Sequence, residues 1–242
     1  MAENYSAAVF AALPQGALLT TNNDFIFPLF YRRYALNERP DLTISNKFGT
    51  SENHNEDLNF VMDAKEFSNG YRDYGLFQKP LPETPKTQVE AALPPSLLEY
   101  YGTLPALYGK DKNIWNDLAI RTAILNAARA FTILSHNAGL NDEQSALAHT
   151  MRTFPEGLLG EVFARASGQA KPYTLTQLRA NLDALYAGEG KLPGQWRSLL
   201  RQMDAAYHIS IGDNATARVL LEEPCTLPLH RQITRRWIYC KF

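Results

Sequence analysis

Two cysteines in 242 residues, Cys225 and Cys240, are too few for a disulfide scaffold. No Cys–His spacing accompanies them, so the sequence names neither a metal motif nor a thiol nucleophile; whether the two pair is left open. No Gly-x-Ser-x-Gly elbow occurs. No glycine-rich turn succeeds a strand-like run, which removes the dinucleotide and phosphate-loop fingerprints. The expected cofactor and metal complement is therefore none. With 24 Lys and Arg against 25 Asp and Glu, the formal net charge is -1, and no long basic tract exists. Nucleic acid is excluded as the expected partner. An uninterrupted apolar run of membrane-spanning length is also missing, so no span is expected. "AAVFAAL" near the start is too short, and lacks the basic flank, for a secretory signal.

What is present is the composition of a soluble globular chain, 45% hydrophobic and 20% charged. "SAAVFAAL" predicts a short helix, broken by Pro14 and Gly16. "ALLTT" predicts a buried strand, "FIFPLFYRRYAL" a helix with Pro28 in its first turn, and "LTIS" a second strand. Strand, helix, strand over about thirty residues is a βαβ unit with parallel strands. Phe27, Phe30, Tyr31 and Tyr34 are expected to form the helix face that packs on the sheet. "LNFVMD" and "YGLFQKPL" predict two further strands, and prolines at 80, 82, 85, 94 and 95 predict a bridge with room for only a short helix. From Ile114 the period becomes helical, with Gly139 as a stop, Thr174 and Gln177 as a capping box, and Gly212-Asp213 as a turn between two helices. The fold class is thus α/β plus all-α. A small Rossmann-like βαβ-containing domain spans 1–82, a proline-rich bridge 83–112 and a helical-hairpin domain 113–242.

Two resemblances rest on short stretches. Leu13-Pro14, Gly16-Ala17, Asn23-Asp24, Phe27-Pro28-Leu29, Tyr31 and Arg39-Pro40-Asp41 resemble the soluble C-terminal segment of bacterial protein O-mannosyltransferase-like multi-pass membrane proteins. "YGLFQKPLP" is similar to that segment's closing strand. Thr20 and Thr21 stand where that pattern has Gly-Asp, Ile26 where it has a hydroxyl residue, and Phe30 where it has Trp. "AAYHISIGDNATARVLLEE", and more loosely "RAFTILSHNAGLNDEQSALAHTMRTFP", resemble tetratricopeptide-like hairpins. These resemblances imply a non-catalytic ligand- or protein-binding module of a larger, membrane-associated, glycosylation-related assembly. A protein partner, a sugar-containing ligand and association with a membrane protein go with it. They also imply an extracytoplasmic location; without them, a cytoplasmic one is expected. The alternative is an enzyme acting on a sugar or sugar conjugate at the end of the first strand.

Position singles out the candidate side chains. Asn22, Asn23 and Asp24 lie between a strand end and a helix start, where ligands bind in open α/β folds. The cap of that helix is the expected first role of Asp24, ahead of a ligand contact. Asp63, at a neighbouring strand end, would complete an acid/base couple with Asp24. His54, Glu52, Glu56 and Asp57 form a polar loop with weak metal-binding character, and no metal site is assigned. Tyr186, Trp196 and Tyr207 are expected to line a partner groove, and Arg235, Arg236 and Trp237 form a basic, aromatic cluster near the end.

Overall fold

The computed structural model describes residues 2–21, 26–46, 59–62, 71–73, 78–80, 93–110, 113–166 and 168–226. Helix α1 (Ala2–Ala12) leads into β1 (Leu18–Thr21). Helix α2 (Ile26–Phe30) runs into a π-helical turn, Tyr31–Ala35, and then comes β2 (Thr43–Asn46). Strands β3 (Asn59–Met62), β4 (Tyr71–Asp73) and β5 (Gln78–Pro80) complete a sheet of order β2-β1-β3-β5-β4. β1 pairs in parallel with both β2 and β3, as a βαβ unit requires, with Leu19 opposite Ile44 and Phe60. β5 runs antiparallel to β3 and β4. The rest is helical: α3 (Pro95–Leu107), α4 (Ile114–Asn137), α5 (Asp142–Arg152), α6 (Pro155–Ala166), α7 (Leu175–Ala187), α8 (Gly194–Ser210) and α9 (Asn214–Thr226). The chain is thus a small N-terminal β/α unit succeeded by a mostly helical region.

The first unit is held by a clamp built from residues far apart in sequence. Arg39 Nη1 donates to the carbonyls of Phe10 and Leu13, and Nη2 to Pro14 O at 3.0 Å, so one guanidinium satisfies the open carbonyls ending α1. Asp41 receives Arg39 through both oxygens, at 2.9 and 2.8 Å, and accepts the Gly16 N–H at 3.0 Å. Arg39 itself sits at φ 47°. This left-handed conformation is uncommon for a non-glycine residue, and the surrounding bonds hold it there. Leu13-Pro14, Gly16 and Arg39 with Asp41 therefore meet at one structural joint, which positions α1 against β1 and β2.

That joint titrates. Arg39 and the Gly16 N–H hold the Asp41 carboxyl well below the usual carboxylate range. The stabilisation is present above the unfolded-state value of about 4 and is lost as pH falls through the lower folded value, because the unfolded chain takes up the proton first. Thermal melts below about pH 4 should fall more steeply for the wild type than for Asp41→Asn, which is less stable at neutral pH. Parallel slopes would remove Asp41 from the acid response.

One aromatic expectation is corrected. The core-facing side chain of α2 is Leu29, at 0% exposure, with Phe30 packed beside it. Phe27, Tyr31 and Tyr34 point outward, at 67%, 61% and 59% exposure. Leu29 lies two residues, about 200°, from both Phe27 and Tyr31, so burying it turns those two outward, and the π turn begins only at Tyr31. Leu36 N–H reaches back five residues to Tyr31 O at 3.1 Å, and the added residue rotates the rest of the segment by about 100° relative to an α-helix.

The stretch expected as a bridge holds the thirteen-residue α3. Pro94 and Pro95 start it rather than prevent it, since a proline at the first helical position gives up an N–H that has no intrahelical acceptor. Its Leu97, Tyr100, Tyr101 and Leu104 join α1, β1, β2 and α4 in one hydrophobic core. A second core gathers α6, α7 and α8 around Leu125 of α4. Helix α4 thus serves both. Its Asp117–Asn137 segment has the length and mean hydropathy, 1.2, of a bilayer span, and 56% of that window is buried within the fold, as in a core helix. Gly160 lets α6 lie directly on α4, and Gly157 lets α6 start hard against the end of α5. A Cβ on either would sit about 2 Å from a backbone carbonyl oxygen, of Leu125 and Met151 respectively.

Candidate functional site

Asn22, Asn23, Asp24, Asp63, the loop at 52–57 and the Arg235, Arg236, Trp237 cluster lie outside the described residues, as does Cys240; of Cys225 only the helical backbone is described. Trp196 is inside, at 4% exposure in the second core, among Leu182, Leu185 and Leu199. Tyr186 and Tyr207 are partly buried against the same core, and the Arg179 guanidinium lies 5.3 Å from the Tyr207 ring centre. Trp196 therefore packs rather than presents a surface. Among the described residues no group of three or more His, Cys, Asp or Glu side chains is placed to hold a metal.

Two surface features remain. The first is the outward side of α2 and its π turn. Phe27 and Tyr31, four apart, share one helix side; Tyr34, inside the π turn, and Leu36, at 49%, are exposed as well. The neighbouring cations are tied back: Arg32 to Glu38 at 2.6 Å, and Arg33 to the carbonyls of Leu42 and Pro40 at 2.8 and 2.7 Å. The most exposed described side chains there, Phe27, Tyr31, Tyr34 and Leu36, are aromatic or aliphatic.

The second is a cleft of about 660 Å³ where the end of α5, the outer side of α6, the loop 171–174 and the start of α7 converge. Glu161 of α6 lies at its floor, 7% exposed. Its Oε2 is 2.9 Å from Arg152 Nε, its Oε1 is 3.2 Å from Arg165 Nε, and it also accepts from the Tyr173 hydroxyl. Arg165 lies over the Tyr173 ring at 4.6 Å and donates to Lys171 O at 2.8 Å. Burial and the adjacent Glu161 push the Tyr173 hydroxyl up, so it stays protonated and serves as a donor. Thr174 and Gln177 cap α7 in the reciprocal arrangement expected from the sequence.

The sequence carried part of this cleft. Glu161 and Arg165 stand four apart, the spacing of a helix-surface ion pair. Nothing local joins Arg152 or Tyr173 to them, because their approach depends on how α5 and the 171–174 loop meet α6. No family model, curated protein or solved structure matches the chain.

Proposed function

We propose that this chain is a non-catalytic interaction module that docks a partner protein on the aromatic side of α2. The supporting observation is the inversion of that helix: three aromatic side chains, 59% to 67% exposed, stand opposite a fully buried Leu29. Burying the exposed part of each would return roughly 1–2 kcal/mol, and Tyr and Phe are enriched where protein interfaces form. Larger apolar patches on soluble proteins mark such contacts. The parallel β2-β1-β3 arrangement suits a Rossmann-like first unit, and successive packing of α5 through α9 suits tetratricopeptide-like hairpins. The resemblance carried by Leu13-Pro14 and Arg39-Pro40-Asp41 extends the proposal to a membrane-associated, glycosylation-related assembly.

The test is site-specific photocrosslinking in cells. A photoreactive residue at Tyr31 should give a discrete protein adduct that Phe27→Ser and Tyr34→Ser remove. The same residue at Val219, equally exposed at 66% but on α9, should not give it. The two serine substitutions should leave the melting temperature nearly unchanged, as surface changes of about 0.5 kcal/mol or less do. Identical adducts at both positions, or an adduct insensitive to the serines, would remove the aromatic side as the docking surface.

A further inference from the structure

We propose that the α5–α6–α7 cleft is a binding site for a small organic dianion, with its negative charge held by Arg152, Arg165 and Lys171. This inference is independent of the aromatic side of α2. Three cationic side chains line the cleft against one carboxylate, Glu161, leaving two positive charges in excess. Glu161 is not an obstacle to an anion. Its two oxygens are occupied by both guanidiniums and the Tyr173 hydroxyl, so its charge is neutralised at the floor.

The same bonds fix the direction of the donors. Each guanidinium has five N–H groups in a planar fork. Arg165 directs its Nε to Glu161 and an Nη1 proton to Lys171 O, and its plane is set by the Tyr173 ring beneath it. Arg152 is ion-paired with Glu161 at 2.9 Å and reaches Asn181 Oδ1 at a long 3.5 Å. Among the described residues the remaining N–H groups of both forks have no protein partner, and Lys171 makes no ion pair. One fixed fork, Arg165, with Arg152 and Lys171 lining the same concavity, matches a phosphate or paired carboxylates. Holding Arg165 before ligand arrives lowers the entropic cost of binding. The volume is in the range of small-molecule sites, about 300–1,000 Å³. The polar lining from Thr174, Gln177 and Asn181 argues against an apolar ligand.

Calorimetric titration of the full chain at constant ionic strength tests this, with glycerol 3-phosphate, inorganic phosphate, succinate and glycerol as probes. Saturable binding of a dianion is expected, with none for glycerol. It should weaken by about tenfold or more, about 1.4 kcal/mol, in Lys171→Gln and in Arg152→Gln. Lys110→Gln, at an exposed lysine outside the cleft, should leave it unchanged. Glycerol 3-phosphate binding without succinate would assign a phosphoryl ligand, and the reverse a dicarboxylate. Both outcomes support the site. No saturable heat with any dianion at millimolar concentration, or binding that the cleft substitutions leave intact while melting temperatures are unchanged, would overturn it. Both cleft positions are at the surface, so folding should survive; if Arg152→Gln melts early, Lys171→Gln alone decides.

Discussion

Gly160→Ala should destabilise the chain by at least about 3 kcal/mol, at or beyond the upper end of ordinary overpacking. A methyl group at this position would stand 2.2 Å from the Leu125 carbonyl oxygen and 3.1 Å from its carbon. Those are backbone atoms in the middle of α4, so no rotamer change relieves the contact. The two helices must separate, and the side chains between them lose contact with one another. Leu159, Val162 and Phe163 of α6 are each buried to within 2% and pack in the core that Leu125 completes. The loss should therefore appear as a lower urea midpoint. Gly190→Ala serves as the control, since a Cβ there meets nothing within 4 Å. Equal midpoints for the two variants would mean that α4 and α6 do not approach this closely.

Much of the helical region was legible because its signals are local. The Thr174–Gln177 capping box, the Gly139 stop and the Gly212 turn each depend on residues within a few positions, and each is found where expected. The parallel pairing of β1 with β2 came from strand, helix and strand in that order. The side of α2 that faces the core was not legible. Four aromatics within eight positions outweigh the single Leu29 in apolar pattern, yet Leu29 is the side chain the core takes, and the π turn after it leaves no compositional mark. β4 has only three residues, Tyr71–Asp73, too few for any period to show. Of the cleft, the four-residue spacing of Glu161 and Arg165 is a local signal that singles out no site, and the long-range members leave none. The buried acid at the start of α6 was hidden for a related reason. A glutamate in a first helical turn ordinarily faces water, where the helix dipole already favours it.

That acid, Glu156, carries the other large effect. Its side chain is fully buried, and its Oε1 lies 2.6 Å from Arg121 Nη1. The Tyr108 hydroxyl donates to Oε2 at 2.9 Å. Arg121 in turn holds Asp117 at 2.6 Å, reaches the Lys191 carbonyl at 3.0 Å and lies over the Tyr108 ring at 4.7 Å. The carboxylate thus fastens the end of α3 and the first turns of α4 to the start of α6, and Arg121 adds the turn before α8. Glu156→Ala should cost about 3–5 kcal/mol, because removing one member of a buried pair leaves the other desolvated without compensation. Tyr108→Phe should cost less, about 2–3 kcal/mol, since it removes two hydrogen bonds, the one donated to Glu156 and the one accepted from Arg121 Nη1 at 3.0 Å, and keeps the ring under Arg121. The double change Glu156→Leu with Arg121→Met should recover much of the loss, as buried ion pairs replaced by apolar groups of similar size commonly do. A cycle of urea denaturations over these variants separates pair from surroundings. If the double change is as unstable as the sum of its parts, the two side chains act independently, and the joint between the two cores must be held by packing alone.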